Sequence, residues 1–300
     1  MSLRCLPALA LGWLAACGAA PSNPSASVPY RPLAAADLVP VDLDFVVRID
    51  TERLRAGNAF PAVREELARH QRSGLFRALS PQLEHSRSIL VGGRIFDGSF
   101  QGDGVLVIDG RGAEGATVGP PFARIASPRP DVLLFERPPG ERGEPILQVW
   151  SRAGAIALAT AAEADAVLRI VREGPDRERL QPHAHGVISF AGRGKVDFGA
   201  NSSGGKGKWR ELLRGLESYE GSLELGDGFD ADIDILYATA VQMAHAQELV
   251  EDIIARLREG KGLLGTLAES TLLSPRDRTL CIRFKVPLEI LAALDLGAPR

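Results

Sequence analysis

Asp230, Asp232 and Asp234 alternate with Phe229, Ala231, Ile233 and Ile235, and further on Leu280, Ile282, Phe284 and Val286 alternate with Cys281, Arg283 and Lys285. A period of two marks a strand with one packed face and one wet face. These two stretches are therefore committed to half-buried antiparallel sheet. Leu43–Asp50, Ile89–Phe96, Gly104–Ile108, Val132–Phe135, Ile146–Trp150, Ala155–Ala159 and His185–Phe190 read as further strands, and Ser222–Leu225 as the first arm of a hairpin with Phe229–Tyr237. The Gly- and Pro-rich stretch from Gly110 to Pro130 reads as an irregular connection.

Between the strands the period changes to that of a helix. Phe60, Val63, Leu67, Leu75, Phe76, Leu79 and Leu83 follow helical spacing, with Gly74 as a break, and Trp209–Leu216 reads as a short helix. The helix expected from about Ala240 to Glu259 aligns Ala246, Leu249, Val250, Ile253 and Leu257 on one face. Thr160 with Glu163 forms a capping-box pattern ahead of Val167, Leu168 and Val171, and Gly174-Pro175 closes that helix. Thr239 with Gln242 repeats the pattern ahead of the longer helix. The two strand-to-helix junctions read either as a duplicated βαββα unit of ferredoxin-like topology or as capping patterns that arose independently. The fold class, α+β with antiparallel sheets covered by helices, holds in both cases.

The chain has 300 residues, 45% hydrophobic and 24% charged. That supports one large core or two modest ones and excludes a disordered or multispan chain. A net charge of −3 gives no electrostatic reason for a nucleic-acid partner. Met1 to Ala16 carries an early Arg4 and an apolar run from Leu6 to Ala16, the layout of a secretory signal peptide. That run is too short to cross the ~30 Å hydrocarbon of a bilayer. Leu14-Ala15-Ala16-Cys17 resembles the bacterial lipobox. The resemblance implies removal of residues 1–16, acylation of Cys17, and a membrane partnership through that anchor. Gly18, where an aspartate would signal inner-membrane retention, implies the outer membrane. A plain secretory peptide cut at an A-x-A-like site such as Ala15-Ala16-Cys17, or near Ala19-Ala20, is the other reading. Residues 17–38, rich in Pro, Ser and Ala, read as a tether. A first α+β lobe over 39–181 and a second over 182–300 complete the expected organisation.

Val39 to Arg55, with Arg48 and Asp50 closing a short strand and Leu54-Arg55 following, is similar to the opening of proteobacterial envelope proteins, many of them lipoproteins. That resemblance implies an α+β body and carries over no catalytic residue. The anchor, the tether and the lack of recognisable catalytic motifs point to a non-catalytic binding or structural module at the membrane, with an envelope protein or polymer as partner. A periplasmic enzyme or a small-ligand carrier is the alternative.

The remaining candidates for chemistry are weak. An EF-hand loop begun at Asp230 finds Ile235 and Val241 where Gly and Glu belong, so the aspartates, with Asp227 before them, read as the wet face of a strand. A phosphate-loop pattern around Lys206 finds Ala200 and Gly207 where Gly and Ser or Thr belong, which leaves a basic loop with Lys195, Lys206 and Lys208. His183 and His185 have no acidic or thiol neighbour at ligand spacing, and His70, His85 and His245 stand apart. Of three cysteines, Cys5 leaves with the signal, Cys17 takes the acyl chains, and Cys281 reads as a small strand residue. No catalytic residue, cofactor or metal site is expected.

Overall fold

In the computed structural model the apolar runs pair into one antiparallel sheet. The structure describes residues 31–58, 60, 61, 64, 84–96, 99–110, 118–141, 143–194, 211–226, 228–259 and 263–287. The signal segment with Cys17, Val63, His70, Leu67 to Leu83, Trp209, Asp227 and the three loop lysines lie outside them. The body from Pro32 onward is a single compact unit.

Twelve strands are formed by the described residues: β1 Phe45–Asp50, β2 Ser88–Phe96, β3 Ser99–Asp109, β4 Ala123–Ile125, β5 Val132–Glu136, β6 Pro145–Ser151, β7 Ala155–Thr160, β8 Ile188–Arg193, β9 Leu216–Leu225, β10 Gly228–Tyr237, β11 Leu272–Arg276 and β12 Thr279–Pro287. Their order across the sheet is β11-β12-β10-β9-β8-β1-β2-β3-β7-β6-β5-β4. Among the described residues four helices have defined limits, α1 Thr51–Ala56, α2 Ala164–Glu173, α3 Ala240–Glu259 and α4 Leu263–Ser270, and Phe60, Pro61, Arg64, Glu211 and Leu212 are helical as well. The limits of α3 are those expected from its sequence.

The seam of the sheet is the antiparallel pair β1 and β8, where residues from 39–181 meet residues from 182–300. Outward from it the strand order repeats, β1-β2-β3-β7-β6 on one side and β8-β9-β10-β12-β11 on the other. The repeat corrects the ferredoxin-like reading. A split βαβ unit needs another strand between its first two, whereas β1 and β2 are direct antiparallel neighbours, as are β8 and β9. The two junctions compared in the sequence are also not equivalent, because by position β7 corresponds to β12 and β10 to β3.

Thr160 makes no capping box either. It ends β7, and its hydroxyl accepts a hydrogen bond from Gly104 N at 3.0 Å, while Glu163 stands at the N-cap position of α2 without a side-chain capping hydrogen bond. Thr239 does cap, since its hydroxyl accepts from Gln242 N at 3.2 Å.

Three apolar clusters hold the layers together. Val46, Leu90, Val107, Leu134 and Val149 on one face of the β1–β7 half pack against Val167, Ile170 and Val171 of α2 and against Leu38 in a short 3-10 turn, Ala35–Leu38. On the opposite face Ile89, Leu106, Ile108 and Ile156 pack with Leu54 of α1. In the β9–β12 half Tyr237, Leu280, Ile235 and Ile282 pack with Met243, Ala246, Leu249 and Val250 of α3. Cross-strand register sets Phe190 opposite Gly221 and Tyr219 opposite Gly192. Each ring lies over the facing glycine so closely that a Cβ there would fall within 3 Å of it. These glycines therefore belong inside strands, where their lack of a side chain makes room for an aromatic neighbour.

Candidate functional site

β1 places its odd residues on one sheet face and Val46, Arg48 and Asp50 on the other. Val46 is fully buried, so Arg48 occupies an inward phase of a central strand, between Leu90 of β2 and Ser189 of β8. Its Nη2 donates to Asp50 Oδ2 at 3.2 Å. Asp50 uses its other oxygen to accept from Arg53 N at 3.0 Å, which caps α1. The Arg48 side chain is 22% exposed. Its Nη1 is shut away from solvent with no hydrogen-bond partner.

Two walls rise over Arg48. One is the 3-10 turn, where Asp37 folds back to accept from Ala34 N at 2.9 Å. The other is the segment 180–184. They are tied together by Arg179, whose Nη2 donates to the buried Asp37 at 3.0 Å and whose Nη1 donates to Asp176 O at 2.6 Å. The Nε of Arg179 is also buried without a partner. Between the walls lies a cleft of about 470 Å³, within the usual size for small-molecule sites of ~300–1,000 Å³. Ala35, Val39, Leu90 and Leu180 give it an apolar lining, and Ala34, Ala36, Ala153 and Ala184 keep it open through their small side chains. Its polar residues include Arg48, Ser88 and the ion pair of Arg87 with Asp109 at 3.1 Å. Chemically the cleft offers the partly exposed guanidinium of Arg48, paired with Asp50, beside apolar walls, in surroundings whose formal charges balance.

The aspartate row lies on the same sheet face but in the other half. Asp230 accepts from Lys285 Nζ at 3.3 Å and Asp232 from Arg283 Nε at 3.1 Å, across the β10–β12 ladder. Lys285 is 67% and Arg283 56% exposed, so this face is open to solvent, under a wider depression of about 550 Å³. Asp234 stands opposite Cys281. Burial pushes the Cys281 thiol up, and the hydrogen bond and negative charge of Asp234 push it further. A thiol so placed stays protonated and is a poor nucleophile.

A third polar group is structural. Glu163 is fully buried and accepts from Arg94 Nε at 2.6 Å, and Arg94 Nη2 also donates to Asp42 at 2.6 Å. Partial burial works against the charged form of Asp42, but the Arg94 hydrogen bond and charge outweigh it and hold the carboxyl below the ordinary range. Arg94 thereby fastens the segment before β1 to the start of α2.

Among the described residues none of the remaining sequence candidates comes together in a shared site. Cys17, Lys195, Lys206, Lys208, Asp227 and His70 fall outside the described residues. His85, His185 and His245 are exposed. His183 is exposed and lies 3.0 Å from Glu220 of β9, a neighbour that sequence spacing could not reveal. Among the described residues no three or more His, Cys, Asp or Glu side chains converge as metal ligands. The cleft at Arg48 went unread in the sequence. Its one signal is a charged residue in phase with Val46 inside an otherwise apolar strand.

No family model matches the chain, and no curated protein matches it. Solved structures of TP0453 are similar to it in fold comparison. Crystal form I aligns with a TM-score of 0.46 at 12% identity, over 85% of this chain and 94% of that one. Crystal form IV gives 0.47 at 11% identity, over 87% and 95%. Crystal form III gives 0.43 at 12% identity, over 88% and 97%.

Proposed function

We propose that the chain is an envelope lipoprotein, anchored in the outer membrane through acyl chains on Cys17, whose α+β body works as a binding module at the membrane surface. The observation that carries this reading is the apolar run from Leu6 to Ala16 closing directly on Leu14-Ala15-Ala16-Cys17. At 1.5 Å per residue such a run reaches only about half of the ~30 Å needed to span a bilayer. More than one acyl chain on one cysteine satisfies the requirement for stable anchoring. Residues 17–38 start as a tether, and the compact body begins at Pro32 within them. No helix of the described residues is long and apolar enough to cross a membrane.

The body's open, charge-paired face on β10 and β12 supports an envelope protein or polymer as partner, because exposed alternating charges offer complementarity without an apolar penalty. A second reading, a carrier of small ligands, is favoured by the cleft at Arg48. Fractionation and crosslinking of the intact protein beside Cys17→Ser test the first. The variant is expected to lose acylation and leave the membrane fraction, and a partner is expected to crosslink to the anchored form alone. A Cys17→Ser protein that stays with the membrane would overturn the anchor.

A further inference from the structure

We propose that the open face of β9, β10, β12 and β11 is the surface on which two copies of this chain pair, face to face about a two-fold axis that runs along the strands between β10 and β12. The proposal names the partner of that face and rests on the reading of the face as a docking surface.

Register fixes what the face presents. Residues directly opposed across an antiparallel ladder share a face. Ser222, Asp232, Arg283 and Leu272 therefore form one row over the four strands, and Glu224, Asp230 and Lys285 form the next. Both rows line the depression of about 550 Å³. Leu272 is 65% exposed in it, one of two large apolar side chains so exposed among the described residues.

Charge selects the symmetry. In both rows the cation stands on β12 and the aspartate on β10. An axis across the strands would lay β12 on β12, cation over cation. An axis along the strands lays β12 of one copy over β10 of the other, with Lys285 above Asp230 and Arg283 above Asp232. Each contact then occurs twice, as an isologous interface requires. The pairs each copy already makes, Lys285 with Asp230 at 3.3 Å and Arg283 with Asp232 at 3.1 Å, become networks of four charges.

The shape of the recess agrees with that axis. It leaves β9 and β10 on one side and β12 and β11 on the other, so the open strip is symmetric about it. Beyond β11 the sheet ends. Beyond β9 it is roofed, for Ser189 and Ala191 of β8 are buried and Ser189 Oγ donates to His183 O at 2.7 Å, which holds the 180–184 segment over that strand. A second copy fits with its edge strand against this wall and its Leu272 over Ser222, the sheets ~10 Å apart and crossed by about 30°.

The same axis suits an anchored protein. A rotation about the strand direction keeps corresponding strand ends together. The chain enters the body at Leu33, whose carbonyl accepts from Ser151 Oγ at the end of β6, so both copies receive their tethers at one end and pair without either turning over. Four strands spaced ~4.8 Å over about seven residues cover roughly 450 Å² per copy. The pair therefore lies just below the ~1,000 Å² of a stable interface, and it is weak in solution and strengthened by sharing a membrane.

The test is sedimentation of the mature chain, residues 17–300 with Cys17→Ser. The mass is expected to rise from one chain at about 1 μM to two at about 100 μM in low salt, and to fall back to one in ~1 M salt. Arg283→Glu and Asp232→Arg each place like charges in contact twice and are expected to weaken pairing at least tenfold, while their equimolar mixture pairs again. Ser222→Cys with Leu272→Cys is expected to give a covalent dimer with a bismaleimide spanning about 10 Å, because the two sites are ~14 Å apart within one copy. Val241→Cys, on the opposite face, is expected to give none. A single chain at every concentration with no Ser222–Leu272 product overturns the second copy, and a foreign protein crosslinked to the anchored form in that case keeps the docking reading. Pairing that ignores both salt and Arg283→Glu overturns this interface. Where a charge variant fails to fold, absence of the Ser222–Leu272 product overturns it as well.

Discussion

The two halves of the sheet are built from the same strand order and stabilised differently. β2, β3 and β7 are covered on both faces, with Ile89, Leu106 and Ile156 against one layer and Leu90, Val107 and Ala157 against the other. β10 and β12 are covered on one face by α3 and leave Asp230, Asp232, Arg283 and Lys285 to solvent on the other. The difference shows in the letters of the strands. Val105 to Ile108 and Ala155 to Ala159 are unbroken apolar runs, while Phe229 to Ile235 alternates strictly. A shared topology thus says little about where stability resides, and coverage of each face says more.

Mutations should separate the halves in proportion to that coverage. Leu106→Ala, at a side chain only 1% exposed, is expected to cost about 3 kcal/mol in urea unfolding. Ile233→Ala, at a half-buried position of β10, is expected to cost about 1 kcal/mol, because less apolar area is lost and less cavity is left. Equal losses would break the comparison.

Acid titration should sharpen it. Arg129 holds Asp131 through hydrogen bonds of 2.9 Å from Nε and from Nη2, and these, set against burial, keep the Asp131 carboxyl below its ordinary range. A carboxyl whose folded value lies below its unfolded value near ~3.9 contributes stability that is full above that value and is lost as pH falls through the folded one. Asp131→Asn should therefore cost about 2 kcal/mol at neutral pH and flatten the fall of stability below about pH 4, measured by denaturation at a series of pH values. An unchanged acid limb would sink this assignment.

The smallest effect is expected in the open half. Asp232→Ala breaks an exposed cross-strand pair with Arg283 and should change stability by about 0.5 kcal/mol or less, a difference that disappears in ~1 M salt. A loss of several kcal/mol that salt does not touch would show that this face is covered after all.

How much of this was legible depends on how local the cause is. The limits of α3, the extent of β10, and the inward Leu280 and Ile282 of β12 follow from periodicity within single elements, and the structure has them where the letters put them, whereas Cys281, expected on the wet face, is buried. β9 starts earlier than its letters suggest, at Leu216, where a short helix was expected to end. Its Gly221 makes sense only with the ring of Phe190 above it, which comes from the neighbouring strand. β8 runs from Ile188 to Arg193, later than the expected His185–Phe190, for the related reason that Gly192 lies under Tyr219. β4 and β11 carry few packed residues, and Pro275 in β11 is tolerated because that strand is an edge. The cleft was the least legible of all. Its walls come from residues near 35 and near 180, which meet beside Arg48 only in the folded chain.

The seam between β1 and β8 also has a meaning in time. β1 is made early, and its partner on one side, β2, can join it from nearby sequence, but its other side stays unpaired until Ile188–Arg193 has emerged and folded back. Until then the growing chain carries only β1 to β7, with β1 standing as a bare edge, the kind of edge that recruits foreign strands. A chain cut short before Ile188 keeps that edge for good. It would survive as an aggregation seed and not as half of a working protein.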